Sequence, residues 1–238
     1  MELKILHLYP GLLNLYGDKG NIECLKHRLL WRGIGAEVVC CNSAEEFDLS
    51  DIDIIFLGGG SDREEIQVCK ELLSHRDAIK EYVENGGTMI AACGGFAMTG
   101  KSYQIGNETL EGIGILDITT VQGKNRLISD VVLEPDFVDG KIIGFENHGT
   151  RTDIGNYEPL GRVLYGNGSD KSGVEGVHYK NLFATYLHGP VLPKNPKLCD
   201  FILTAALKNK YPDFDKLSEL DDTIENTANE YMVSRFIK

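Results

Sequence analysis

Positive charge is scarce in this chain: 24 Lys and Arg stand against 36 Asp and Glu, a formal net charge of −12 over 238 residues. A nucleic-acid binder needs a basic face to meet phosphates, and docking on an anionic membrane needs the same, so the balance argues against both. No apolar run is long enough to span a bilayer. The opening MELKILHLYPG reads as a strand with an early acid, not as a signal peptide. The six cysteines form no CxxC pair, so neither a zinc framework nor a disulfide framework is suggested. The expected setting is the reducing cytoplasm. Low-complexity tracts, linkers and repeats are missing, which predicts a single domain over residues 1–238. The Gly58-Gly59-Gly60 turn matches neither GxxxxGK[ST] nor GxGxxG, and with a net acidic chain nucleotide binding is not expected.

What is present reads first as alternating strands and helices. Residues 3–8, 37–40, 52–57 and 88–92 are compact apolar runs that predict strands. Residues 20–32, 62–73 and 77–84 carry helical spacing, closed by glycines or Asn-Gly-Gly. Such alternation predicts an α/β fold with a mostly parallel sheet covered on both faces. Beyond Gly100 the texture changes. Short strand candidates at 113–121, 126–133, 141–145, 162–165, 173–178 and 182–187 are separated by Gly and Asn turns. They predict an antiparallel extension on the same sheet. Helix resumes at 196–208, and the tail, 217–236, reads as helical and acidic.

In open α/β sheets, ligands gather at the carboxyl ends of strands. Two glycine-rich turns lie there: Gly58-Gly59-Gly60 and Cys93-Gly94-Gly95. The second, in AACGGF, resembles a nucleophile elbow, whose sharp turn needs small neighbours. A thiol at a helix N-terminus is expected to have a lowered pKa. The bland alternative is a buried core cysteine, and position alone weighs the two evenly. A nucleophile needs a base. Of six histidines, His188 follows the carboxyl end of strand 182–187, on the edge where Cys93 should sit; His148, in FENHG, is a weaker candidate.

The set of stretches LNLYGDKGNI (13–22), LGGGSDREE (57–65), ACGGF (92–96), LEGIGILD (110–117), NRLISD (125–130), GFENHGTRT (144–152) and EGVHYKNLFATYLHGPVLPKNP (175–196) resembles the class I glutamine amidotransferase family. The likeness is to its cobyric acid synthase branch and, within that, to the glutaminase subunits of lipid II isoglutaminyl synthases. It implies a flavodoxin-like three-layer sandwich. It implies Cys93 as nucleophile, His188 as general acid/base and Arg126 as the binder of the glutamine α-carboxylate. Backbone N–H groups of Gly60 and Gly94 are expected to form the oxyanion hole. No metal or organic cofactor is expected on this chain; ATP and Mg are expected on a partner. That partner would be a Mur-ligase-like synthase subunit, MurT, in a heterodimer that could bring the chain to the inner membrane face through lipid II. Well-known class I enzymes carry His-x-Glu, whereas here the third position is Pro190. The orienting acid is therefore unassigned, with Glu146, Glu175 or a partner carboxylate as the alternatives. The rival functions are a glutaminase for another synthase such as a cobyrinate-type one, an elbow peptidase, and a non-catalytic regulatory subunit.

Overall fold

The computed structural model describes residues 1–237. Its first sheet has six strands in the order β11-β12-β4-β3-β1-β2. These are β1 (Glu2–Leu8), β2 (Gly35–Cys41), β3 (Ile54–Leu57), β4 (Thr88–Ala92), β11 (Val177–Tyr179) and β12 (Leu182–Thr185). All neighbours are parallel except β11 and β12. Alternate residues face opposite layers. Ile54, Phe56 and Ile90 join one core with α1 (Lys19–Leu30) and α5 (Pro196–Lys210). Ile55, Leu57 and Met89 join the other with α2 (Asp62–Leu72) and α3 (Arg76–Glu84). Burial on both faces explains why the central strands β3 and β4, buried at every residue, read as unbroken apolar runs.

The antiparallel part differs from the expectation of one continuous sheet. It forms a second sheet, ordered β10-β9-β7-β5-β6, with β8 bridging β7 and β13. Its strands are β5 (Ser102–Ile105), β6 (Glu108–Glu111), β7 (Thr119–Glu134), β8 (Ile142–Asp153), β9 (Gly161–Tyr165), β10 (Val174–Glu175) and β13 (Leu187–His188). The burial pattern is the reason. Buried and half-buried residues alternate along much of β8, and β7 is largely exposed before Leu127. Strands of this kind leave one face to water and cannot extend a sheet that is covered on both sides.

The tail also departs from the sequence reading. Helix α6 begins at Thr223, not 217. The Arg28 guanidinium, 3% exposed, grips Asp200 and Asp222 together, and Arg32 Nε donates to the Ser218 carbonyl at 2.6 Å. These contacts hold the segment before α6 out of the helix. Among the described residues, no helix is long and apolar enough to cross a membrane.

Candidate active site

Cys93 follows β4 directly and precedes the five-residue helix α4 (Gly94–Met98). Its backbone stands at φ +54°, ψ −114°. A non-glycine residue there costs about 1–3 kcal/mol and is held only where the surroundings enforce it. The enforcing contacts are visible. The Cys93 N–H donates to the Thr185 carbonyl at 2.7 Å. The Gly58-Gly59-Gly60 turn presses from the other side: a Cβ on Gly59 would fall 2.7 Å from Cys93 Cβ. The bend is therefore a nucleophile elbow in geometry as well as in sequence.

The thiol's acidity runs against the expectation of a lowered pKa. Burial pushes it well above the ordinary thiol value, and the nearby Glu65 and Asp18 push it further. The Gly94 N–H on the sulfur and Arg126 oppose them. A five-residue helix offers little dipole to offset desolvation. At rest Cys93 is a thiol, so a base must take its proton.

His188 reaches this region by strand register. β12 runs parallel beside β4, pairing Thr185 with Ala92. Cys93 lies one residue past that pair and His188 three, so both leave the same edge. The sequence placed His188 in a loop after one long strand. Instead, β12 ends at Thr185 and Leu187–His188 crosses to the second sheet, pairing with Glu146 and Phe145 of β8. His188 is fully buried. Burial first, then His148, Arg126 and Lys194, pushes its pKa down to about 4. The imidazole is thus neutral at neutral pH, and the same burial makes it a weak base in this structure.

A cavity of about 70 Å³ opens beside Cys93. Gly60, Gly94, Arg126, His148 and Tyr186 line it with the cysteine. Four of the five predicted residues meet there, while His188 is buried outside this lining. Two larger hollows, about 470 and 410 Å³, flank α6 and contain no cysteine. Arg126 is aimed by a bulge in β7: Gln122 pairs with Thr150 and Leu127 with His148, so residues 123–126 face Gly149 alone. Its guanidinium donates to the side chain of Asn147 and, at 3.0 Å, to the Asn147 carbonyl.

Glu65, Asp18 and Tyr186 at the site were not singled out from the sequence as functional, while His148 was a weaker candidate for the base and Glu146 an alternative orienting acid. The Gly60 N–H donates to Glu65 Oε1 at 3.1 Å, and the Gly59 N–H to Asp18 Oδ2 at 2.9 Å. Both acids are pushed up to about 7 by burial. His148 lies flat on Tyr186, 3.9 Å between centroids, with Nδ1 donating to the Thr150 carbonyl at 2.9 Å. Its Nε2 is 3.6 Å from Glu146 Oε2. A signal for Glu65 was available: it shares a helical face with the buried Val68, Cys69 and Leu72. An acid on an apolar stripe needs an inward partner. Asp18 and Tyr186 carry no comparable local signal. Among the described residues, no group of three or more His, Cys, Asp or Glu is placed to hold a metal ion.

Comparison with known proteins decides the family. Residues 4–196 match the model of the CobB/CobQ-like glutamine amidotransferase domain. The chain belongs to that family. Among curated relatives, the GatD subunit of the glutamine-hydrolysing lipid II isoglutaminyl synthase of Staphylococcus aureus is 43% identical, over 98% of this chain and 96% of that one. The subunit of the same name from Streptococcus pneumoniae is 39% identical, over 97% and 90%. A cobyric acid synthase of Listeria innocua is 30% identical, over 74% of this chain but 37% of its own. Among solved structures, a glutamine amidotransferase aligns with TM-score 0.58 at 18% identity, covering 84% of this chain and 98% of that one. PurLQS of Thermotoga maritima aligns with TM-score 0.54 at 17% identity, covering 88% and 97%. These two likenesses concern the fold alone. The amidotransferase-like α/β architecture read from the sequence is therefore the fold of this family.

Proposed function

We infer that the chain is the glutaminase subunit of a lipid II isoglutaminyl synthase. The observation that carries this reading is the strained Cys93 elbow opening on a cavity that Arg126 also lines, in a chain close to full-length GatD subunits. Arg126 would take the substrate's α-carboxylate, a task that suits a planar guanidinium fork. Asp62, on the same lining, offers the opposite charge for the α-ammonium.

In this mechanism His188 accepts the Cys93 proton, and the sulfur attacks the side-chain amide carbon of glutamine. The S–C bond forms and the carbonyl becomes an oxyanion, held by the N–H groups of Gly60 and Gly94. Each such donor is typically worth about 3 kcal/mol of barrier. His188 returns the proton to the departing nitrogen, and ammonia leaves. It then takes a proton from water, whose oxygen attacks the thioester. Glutamate departs and the thiol is restored.

Ammonia in neutral water is mostly ammonium and a poor nucleophile, so it would pass directly to a Mur-ligase-like partner, MurT. That subunit would use ATP and Mg to activate the D-glutamate α-carboxyl of lipid II, which ammonia converts to D-isoglutamine. Pro190 leaves the His-x-Glu position without an acid. Both internal alternatives have other bonds: Glu146 accepts from Asn167 and Gly168, Glu175 from Thr185 and Tyr186. A partner carboxylate, reaching His188 if docking uncovers it, is proposed to orient the ring and make the complex faster than the chain alone.

The test is to co-purify the chain with a Mur-ligase-like subunit from the same genome and assay amidation of lipid II. Glutamine-dependent amidation that needs both subunits supports the reading. Amidation of cobyrinate instead, or no glutamine hydrolysis by the complex, would overturn it. Equal glutamine turnover by the isolated chain and the complex would refute the in-trans carboxylate alone.

A further inference from the structure

Glu65 stands where the reaction's negative charge would have to go. Its Oε1 takes the Gly60 N–H at 3.1 Å, the very donor assigned to the oxyanion. Its Oε2 accepts from the Tyr103 hydroxyl. The carboxyl group also packs on Gly94, where an added methyl group would overlap it. One side chain, 4% exposed, thus covers both backbone positions that would stabilise the intermediate.

Two consequences follow from this geometry. An oxyanion at Cys93 and the Glu65 carboxylate cannot share the Gly60 donor, and two like charges so placed repel each other. The space beside Cys93 is about 70 Å³ and Glu65 is part of its wall, the part that would have to yield for an oxyanion to take the Gly60 N–H. Glu65 fits that role because two identifiable hydrogen bonds hold it, not covalent geometry.

We propose, resting on the glutaminase reading above, that Glu65 is a positioning residue that closes the oxyanion hole at rest. Held by Tyr103, it keeps the Gly60 N–H until the forming oxyanion displaces it. The displacement slows the chemical step in the isolated chain. Charged or titratable groups also around it are Asp62, Cys69, Arg126 and Cys93. None of them replaces it on the Gly60 N–H in this structure, so removing its hold frees the donor.

Two variants test this on the full chain, with folding checked by circular dichroism. Glu65→Gln keeps the shape but removes the charge and weakens the bond to Gly60. Tyr103→Phe keeps the carboxylate and removes its holder. Each is assayed for kcat and KM with glutamine. Each is also assayed for Cys93 modification by a glutamine-like chloroketone, which passes through an oxyanion, and by iodoacetamide, which does not.

The proposal expects kcat and chloroketone labelling to rise about tenfold in both variants, below the roughly 100-fold to 1000-fold value of a whole oxyanion donor. KM should stay within about twofold, because the interaction lies on the chemical step and not on ground-state binding. Iodoacetamide labelling should not change in Tyr103→Phe, and in Glu65→Gln should rise less than chloroketone labelling, since Glu65 also holds the Cys93 pKa up. An unchanged or lower kcat, a rise confined to KM, or a parallel rise with iodoacetamide would overturn it. Wild-type protein whose Cys93 reacts with iodoacetamide but never with the chloroketone would instead sink the glutaminase reading, and the gate with it. Labelled wild type with unmoved variants sinks the gate alone.

Discussion

The backbone N–H of Cys93 donates to the carbonyl of Thr185 at 2.7 Å. This bond joins the Cys93 bend to the strand that leads to His188. Thr185 holds that junction with its side chain as well: Oγ1 donates to Glu175 Oε2 at 2.8 Å and accepts the Leu187 N–H at 3.0 Å. Thr185→Val keeps the shape and deletes both side-chain bonds, leaving a buried N–H and a buried carboxyl short of a partner. The expected loss is about 1–3 kcal/mol in urea unfolding, with kcat reduced and KM little changed. Stability equal to wild type would show that the hydroxyl does not hold the junction.

Arg126 is the recognition residue of the account. Arg126→Ala should lower kcat/KM for glutamine by about 100-fold or more, through loss of charge-assisted hydrogen bonds to the carboxylate. Arg126→Lys should recover little of it, since an ammonium cannot make the bidentate contact. Isothermal titration of glutamine into a Cys93→Ala background separates binding from chemistry. Unchanged affinity in Arg126→Ala would assign Arg126 to holding the β7 bulge.

The two histidines separate by role. His188→Ala should abolish turnover. His148→Ala should leave measurable turnover while lowering stability, because its ring stacks on Tyr186 and bonds the Thr150 carbonyl. The reverse ranking in a steady-state assay would move the general base to His148, which lines the cavity and has Glu146 beside it.

Buried acids set the pH dependence of stability. Burial raises Asp18 and Glu65 to about 7 and Glu175 to about 8. A carboxyl raised on folding binds its proton more tightly in the folded state. Its stabilisation is full at low pH and is lost as pH climbs through the folded value. His7 and His188, both lowered to about 4 chiefly by burial, act oppositely, but only below about pH 6.5, where the unfolded imidazole starts to charge. Above about pH 7 the acids dominate, so the unfolding free energy, and with it the urea midpoint, should fall up to about pH 8, at most by about 1.4 kcal/mol per pH unit for each fully titrating group. Glu175→Gln should flatten the upper part of that fall. A midpoint that rises over this window would contradict the assignment.

The first half of the fold was legible because its strands are buried on both faces. Thr88–Ala92 is all-buried in the structure and coincides with the run read from sequence. The second sheet was less legible. Its strands β7 and β8 are longer than the apolar stretches within them, since their outer ends face water and carry polar residues. Segment 113–121 shows the opposite error. Ile113, Ile115, Leu116 and Ile118 are buried, yet 112–118 forms no strand, because apolar content marks burial and not pairing. At the site, Cys93, Gly60, Gly94 and Arg126 were visible as motif residues. Glu65 had its signal in the apolar face of α2. Asp18 and Tyr186 acquire their places from contacts across 41 and 36 residues, Asp18 with Gly59 and Tyr186 with Thr150, which no local pattern encodes.

The central claim is that Cys93 forms a covalent γ-glutamyl thioester. The most direct measurement is rapid acid quench of the protein turning over glutamine, followed by peptide mass spectrometry. The account predicts a glutamyl adduct on the peptide containing Cys93, none on the peptides of the other five cysteines, and no hydrolysis in Cys93→Ala. Glutamine hydrolysis at the wild-type rate in folded Cys93→Ala, or an adduct on another cysteine, would contradict it.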